Sequence, residues 1–201
     1  MKELLKTSFK WAISIAFITF ILAALFSITS NFVLNGVYWT TGLLVVLLIV
    51  FIGIFFDMIG IAATAADEVP FHAMASKKIY GSKHAIRLVR NADRVASFCN
   101  DVIGDISGII SGTATAIVIF QLAMELQQNG SNVSEYVINV LFTSVIASLT
   151  VGGKAFGKTL AIRYSKEIIF RVGKLLQFFE DKFHIVIIKE KKRKKSRKNI
   201  Q

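Results

Sequence analysis

Residues 42–56 read Gly42-Leu43-Leu44-Val45-Val46-Leu47-Leu48-Ile49-Val50-Phe51-Ile52-Gly53-Ile54-Phe55-Phe56, with no polar side chain. A helix on a protein surface shows a polar face within two turns, so this run belongs in a core or a bilayer. Extended to Val37–Ala66, it exceeds the roughly 20 apolar residues a helix needs to cross a membrane. Three further segments qualify on either side: Trp11–Val33, Val95–Leu126 and Val137–Gly153. Of these, Val95–Leu126 is more polar.

Charge placement supports four spans. Lys and Arg are absent from residues 11–76 and again from 95–153. They gather at Lys2, Lys6 and Lys10, between Lys77 and Arg94, and from Lys154 onward. In a four-span chain these three groups share one side, which the positive-inside rule makes the cytoplasm, with both termini there. Tyr38, Trp39 and Tyr136 then fall at the opposite interface. The first segment also resembles a signal peptide behind a basic start, but its apolar run is long and no A-x-A site follows it.

The whole chain has 201 residues, 54% hydrophobic and 18% charged, with one Pro and one Cys. This excludes a disordered chain and a disulfide-stapled domain. Of the net charge of +11, +7 lies in residues 189–201 and +4 in the remainder. A nucleic-acid-binding protein spreads its bases over a folded face. Here a polybasic tail is expected to act on topology and on anionic lipid, and no nucleic-acid partner is expected.

The expected fold is all-α: a polytopic helical membrane protein with four transmembrane helices, a cytoplasmic helical hairpin and a C-terminal interfacial helix. Residues 1–36 form an N-terminal span and 37–160 the main domain, with the hairpin at 67–94. Residues 161–188 form an amphipathic juxtamembrane helix and 189–201 the tail. In the hairpin, Asp67-Glu68-Val69-Pro70 is a helix start, Ser82 is placed to cap a second helix, and Asn91-Ala92-Asp93 restarts the third span. Arg163, Glu167 and Arg171 stand at i, i+4 and i+8, where they can pair along one face.

The third span carries the chemistry. Gly104, Gly108 and Gly112 recur every four residues, a face that permits close backbone approach or exposes carbonyls. Asn100, Asp101 and Asp105 lie beside it, and Asp57 lies in the second span. Carboxylates inside spans are expensive and mark function by default. At ~1.5 Å per residue, Asp105 lies ~15 Å, Asp57 ~13 Å and Ser144 ~15 Å above the inner edge. That level is near the middle of a ~30 Å core. An oxygen-only set (Asp57, Asn100, Asp101, Asp105, Ser144) suits a hard cation such as Mg²⁺. His72, His84 and His184 have no metal spacing, and Cys99 reads as a packing residue. Asn129-Gly130-Ser131 and Asn132-Val133-Ser134 fit the glycosylation pattern. Gly104-Asp105 is similar to the intramembrane aspartyl protease motif, but that motif needs Gly where Val102 stands.

From about Leu43 to Leu176, two thirds of the chain, the order of motifs resembles the transmembrane domain of the CNNM/CorC magnesium transporters. Phe55-Phe56-Asp57-Met58-Ile59-Gly60 stands at that family's Phe-Phe-Ser-x-x-Glu, and Asn91-Ala92-Asp93-Arg94 at its Asn-Pro-Asp/Glu-Arg. Gly81 and Ala85 fit its Gly-x-x-x-Ala, and Gly153-Lys154-Ala155-Phe156-Gly157-Lys158 its Gly-Glu-x-x-Pro-Lys. The departures are Asp57 for Ser, Gly60 and Lys154 for Glu, and Gly157 for Pro. The resemblance implies a cation site of small polar side chains and carbonyls at Asp57 and the Asn100–Asp105 run, and dimerisation. The family's CBS modules and C-terminal CorC domain have no counterpart after the amphipathic helix, so nucleotide gating is not expected. The expected function is cell-membrane transport of a divalent cation, Mg²⁺ first, and not an enzyme. The alternative is a scaffold or regulatory subunit that keeps the fold without transporting.

Overall fold

The structure is a computed structural model and describes residues 2–34, 36–128 and 135–183. Both glycosylation motifs, His184 and the basic tail lie outside them. The described residues form helices α1 (Lys2–Leu34), α2 (Trp39–Ala65), α3 (Val69–Ser76), α4 (Ser82–Arg90) and α5 (Ala92–Ala96). A π-helical stretch, Ser97–Gly104, follows, then α6 (Asp105–Gln128), α7 (Glu135–Arg163) and α8 (Ser165–Phe183). No strand occurs among the described residues. Four stretches are long and apolar enough to cross a membrane: Ala12–Leu34, Trp39–Ala65, Ala92–Leu126 and Tyr136–Arg163. The chain is thus a multi-pass membrane protein by length and composition. The helix that carries the fourth span continues past Gly153 to Arg163. Gly152 and Gly153 lie inside it, where intrahelical bonding outweighs the modest cost of glycine.

Two compact units divide the chain: Met1–Met58 with Ser97–Thr159, and Ile59–Ala96 with Leu160–Gln201. In the first, α6 is the inner helix. Its buried residues fall on two adjacent i, i+4 rows. One is Ile106, Ile110, Ala114, Val118 and Leu122, continued backward by Val102 of the π-helical stretch, and the other is Ser107, Ser111, Thr115, Ile119 and Ala123. Val102, Ile106 and Ile110 meet Ile15, Leu22 and Ala23 of α1, and Ala114 and Val118 meet Val46 and Val50 of α2. Its packing inside the unit lets α6 carry a row of serines and threonines. Thr115 Oγ1 donates to the Ser111 carbonyl at 2.6 Å and Ser111 Oγ to the Gly108 carbonyl at 2.9 Å, so these two buried hydroxyls are satisfied within their own helix.

The close approaches of α2 are set by its own glycines. A Cβ at Gly42 would lie 2.7 Å from Val118 Cγ2, and one at Gly53 would lie 2.8 Å from Ser107 Cβ. Gly108 and Gly112 have nothing within 4 Å of an added Cβ. They border instead an open groove of about 250 Å³, shared with Thr143, Ala147 and Val151 of α7.

The second unit is built on α4 and α8. Gly81 takes φ +88°, a left-handed conformation that suits glycine, and precedes α4 as its N-cap. Ser82, expected to be the cap, is buried as the first helical residue, and its hydroxyl donates back to the Ile79 carbonyl at 2.6 Å. Gly173 of α8 fits against Gly81 and Ala85. That is the physical content of the Gly-x-x-x-Ala spacing: two small positions admit a third across the crossing.

Around this crossing, Glu180 Oε2 accepts from His84 Nε2 at 2.6 Å and Arg87 Nη1 at 3.3 Å. Tyr80 donates to Asp181 at 3.0 Å. The ion pairs of α8 reach α4 in place of an Arg163–Glu167–Arg171 ladder, and Arg163 lies over the Tyr164 ring. Glu68 joins α3 to α4, accepting from His72 at 2.7 Å and Arg90 at 2.6 Å.

These contacts make the second unit acid-sensitive. Partial burial pushes Glu68 up, but the hydrogen bonds from His72 and Arg90 outweigh it and hold its carboxyl below the usual 4.5. The hydrogen bond from His84 holds Glu180 below the same value. A carboxylate lowered in the folded state lends stability that is complete above its unfolded pKa and lost as pH falls through the folded one. Thermal stability in detergent should therefore drop between about pH 5 and pH 3, and Glu68→Gln with Glu180→Gln should flatten that slope.

Candidate functional site

The site lies in the first unit, where the π-helical stretch meets α6. π-helical turns inside α-helices are rare and often accompany function. This one ends at Gly104, which is buried, and Asp105 opens the α-helix that follows. Gly53 and Asp57 are one turn apart on α2. Gly53 brings α2 against Ser107, and a Cβ placed there would lie 3.8 Å from the Gly104 carbonyl oxygen. Asp57, on the same face, thereby reaches Gly104: a Cβ at Gly104 would lie 3.7 Å from Asp57 Oδ1.

α7 supplies the third side. A Cβ at Gly157 would lie 2.9 Å from Met58 Cγ, and one at Gly153 would run into the Ile54 side chain. These two glycines, four residues apart, hold α7 against α2. Lys154 stands between them. Its Nζ donates to the Gly104 carbonyl at 3.4 Å and lies 3.8 Å from Asp105 Oδ1. The charges acting on Asp57 come from Lys154, Asp105, Lys158 and Asp101.

The expected residues therefore separate. Asp57, Gly104 and Asp105 come together. Asp101 is exposed one turn before Asp105, and Asn100 is half-buried with an Oδ1 that is buried and has no hydrogen-bond partner. Ser144 is exposed and ten residues before Lys154 on α7, ~15 Å along the axis, so it does not share their level. What stands level with the carboxylates on α7 is Lys154. The charge pattern hid it, because the first base after a long apolar segment reads as the membrane edge. The signal that could have found it is the pair Gly153 and Gly157, which marks this turn as a packed one.

Asp105 is 68% exposed and Lys154 28%, so the cluster opens toward the surroundings of the unit and is not sealed in its core. Among the described residues, no three His, Cys, Asp or Glu side chains gather into a group that could hold a metal ion. A hard cation held here would draw most of its ligands from carbonyl, amide or solvent oxygens, as Mg²⁺ commonly does. The chain has no significant match to any protein-family model, curated protein or solved structure.

Proposed function

We propose that this chain carries a divalent cation, Mg²⁺ first among candidates, across the cell membrane. Asp57, Asp105 and the Gly104 carbonyl are its central oxygens, with Asn100 and Asp101 behind them. The observation that carries the reading is the meeting of two carboxylates from separate apolar helices beside one buried glycine, Gly104. Charges placed inside spanning helices need a reason to be there, and ion pathways are the usual one. The resemblance of its motif order to the CNNM/CorC transmembrane domain supports the same reading. In this proposal both termini and the α3–α4–α8 unit are cytoplasmic, as the Lys and Arg distribution favours. The exposed Leu175, Phe178 and Phe179 of α8 lie in the interface, with the basic tail on anionic lipid. The open glycine groove of α6 and α7 seats a second copy, giving a homodimer.

A second reading, a non-transporting scaffold or regulatory subunit that keeps the fold, is favoured by one observation: a positive side chain already stands among the carboxylates. Flux of Mg²⁺ into protein-loaded liposomes separates the two. A transporter gives saturable flux that Asp57→Asn and Asp105→Asn each abolish while the purified variants keep their helicity. Absence of flux from the parent protein excludes the transporter, and unchanged flux in both variants excludes Asp57 and Asp105 as its ligands.

A further inference from the structure

We infer that the Lys154 ammonium is the standing occupant of the cation position, a tethered positive charge that a translocated ion must displace. The inference rests on the reading of Asp57 and Asp105 as cation ligands and adds how their site is regulated. Three features carry it. Lys154 Nζ is within reach of the two oxygens a cation would use, the Gly104 carbonyl at 3.4 Å and Asp105 Oδ1 at 3.8 Å. Its neighbours Gly153 and Gly157 carry no side chains that could wall the stem in, and α7 is held against α2 at both. A lysine is a compact point charge on a flexible four-carbon stem, so it can leave such a position without moving the helix. Finally, Asn100 Oδ1 is buried in the adjoining π-helical turn without a partner. An ammonium has three protons to donate, whereas Mg²⁺ takes six oxygens. A metal ion would seek further oxygens, and this unpartnered acceptor lies in the π-helical stretch that ends at Gly104.

A lysine in this place also explains why the two carboxylates are tolerated together. Removing one partner of an ion cluster leaves the other charges uncompensated. Neutralising Lys154 should thus do two things: expose the carboxylates to each other and open their oxygens to an added cation.

The test is thermal unfolding of the purified full chain in detergent, titrated with MgCl₂ at constant ionic strength. The proteins are the parent, Lys154→Met, Lys154→Gln and Lys154→Met combined with Asp105→Asn. Lys166→Met, which removes the same charge from α8, is the control. The expected result is a Lys154→Met protein less stable than the parent without Mg²⁺ and restored by it, with a midpoint at least tenfold lower than the parent's. Lys154→Gln should behave alike, Lys166→Met like the parent, and the double variant should lose the response. A failure of both neutral variants to fold without Mg²⁺, relieved by Mg²⁺ or by Asp105→Asn, supports the same conclusion. Equal midpoints in parent and Lys154 variants, or a weaker response in the variants, overturn the ammonium's role and leave the cation site standing. No Mg²⁺ response in any protein overturns both.

Discussion

Valine at position 173 should break the second unit apart. A Cβ there would lie 2.7 Å from the Gly81 carbonyl oxygen and 2.9 Å from the Ala85 amide nitrogen. These two atoms are hydrogen-bonded to each other at 2.9 Å in the first turn of α4, so neither can yield without undoing the helix start. The opposing side is equally closed: a Cβ at Gly81 would meet Lys174 Cγ at 2.6 Å and its backbone nitrogen at 2.8 Å, at a φ of +88°. Overpacking of side chain against side chain costs about 1–3 kcal/mol, and backbone against backbone should fall at the top of that range. At about 3 kcal/mol, amide exchange in α4 and α8 should accelerate about a hundredfold, provided these helices open as a unit. The His84–Glu180 and Tyr80–Asp181 contacts flank the crossing and should be lost with it. Exchange unchanged in Gly173→Val would show that α4 and α8 do not cross as described.

Leucine at position 53 should disturb the first unit and the candidate site together. Gly53 faces Ser107, whose Cβ would lie 2.8 Å from an added one, and α6 is fixed on its other side by α1. The strain must be relieved by moving α2 outward, again for about 1–3 kcal/mol. Because Asp57 is one turn further along the same face, this movement carries its carboxylate away from Gly104. Gly53→Leu should therefore lower thermal stability and also weaken any Mg²⁺ response, although it leaves every proposed ligand in place. Gly108→Leu is the matched comparison. Its added Cβ has open space within the chain, so a monomer should accept it, and a loss of dimer alone would assign the groove to a second copy. Equal damage at both positions would contradict this packing.

How far the sequence could be read differs by element. The four spans follow from composition, because an apolar helix of that length has few other places to be. The turn at Asn91 and the start at Glu68-Val69-Pro70 follow from local chemistry: Pro is tolerated in the first turn, and Asn91 closes α4 and opens α5 through its own carbonyl. The facing of the helices was not legible in the same way. α2 is apolar all round, so periodicity carries no information about which side meets α6, and Gly42 and Gly53 decide it. In α6 the conspicuous glycine repeat pointed to Gly108 and Gly112, yet the serines and threonines on the neighbouring row are what is buried. The level expected for Ser144 takes Lys154 for the membrane edge. The count fails because charge asymmetry reports which side a loop occupies and says nothing about depth.

The self-satisfied hydroxyls of α6 and α7 have a consequence for how this surface presents itself to a visitor. Ser111, Thr113, Thr115, Ser148 and Thr150 each give their proton to a carbonyl three or four residues back in their own helix. A scale that scores residues by type counts them as water-seeking. Spent in this way, they offer an incoming chain mostly methyl and methylene groups. The groove beside Gly108 and Gly112 is polar in spelling and oily to the touch, a seam into which an acyl chain or a neighbouring helix can slide without first stripping water from a single donor.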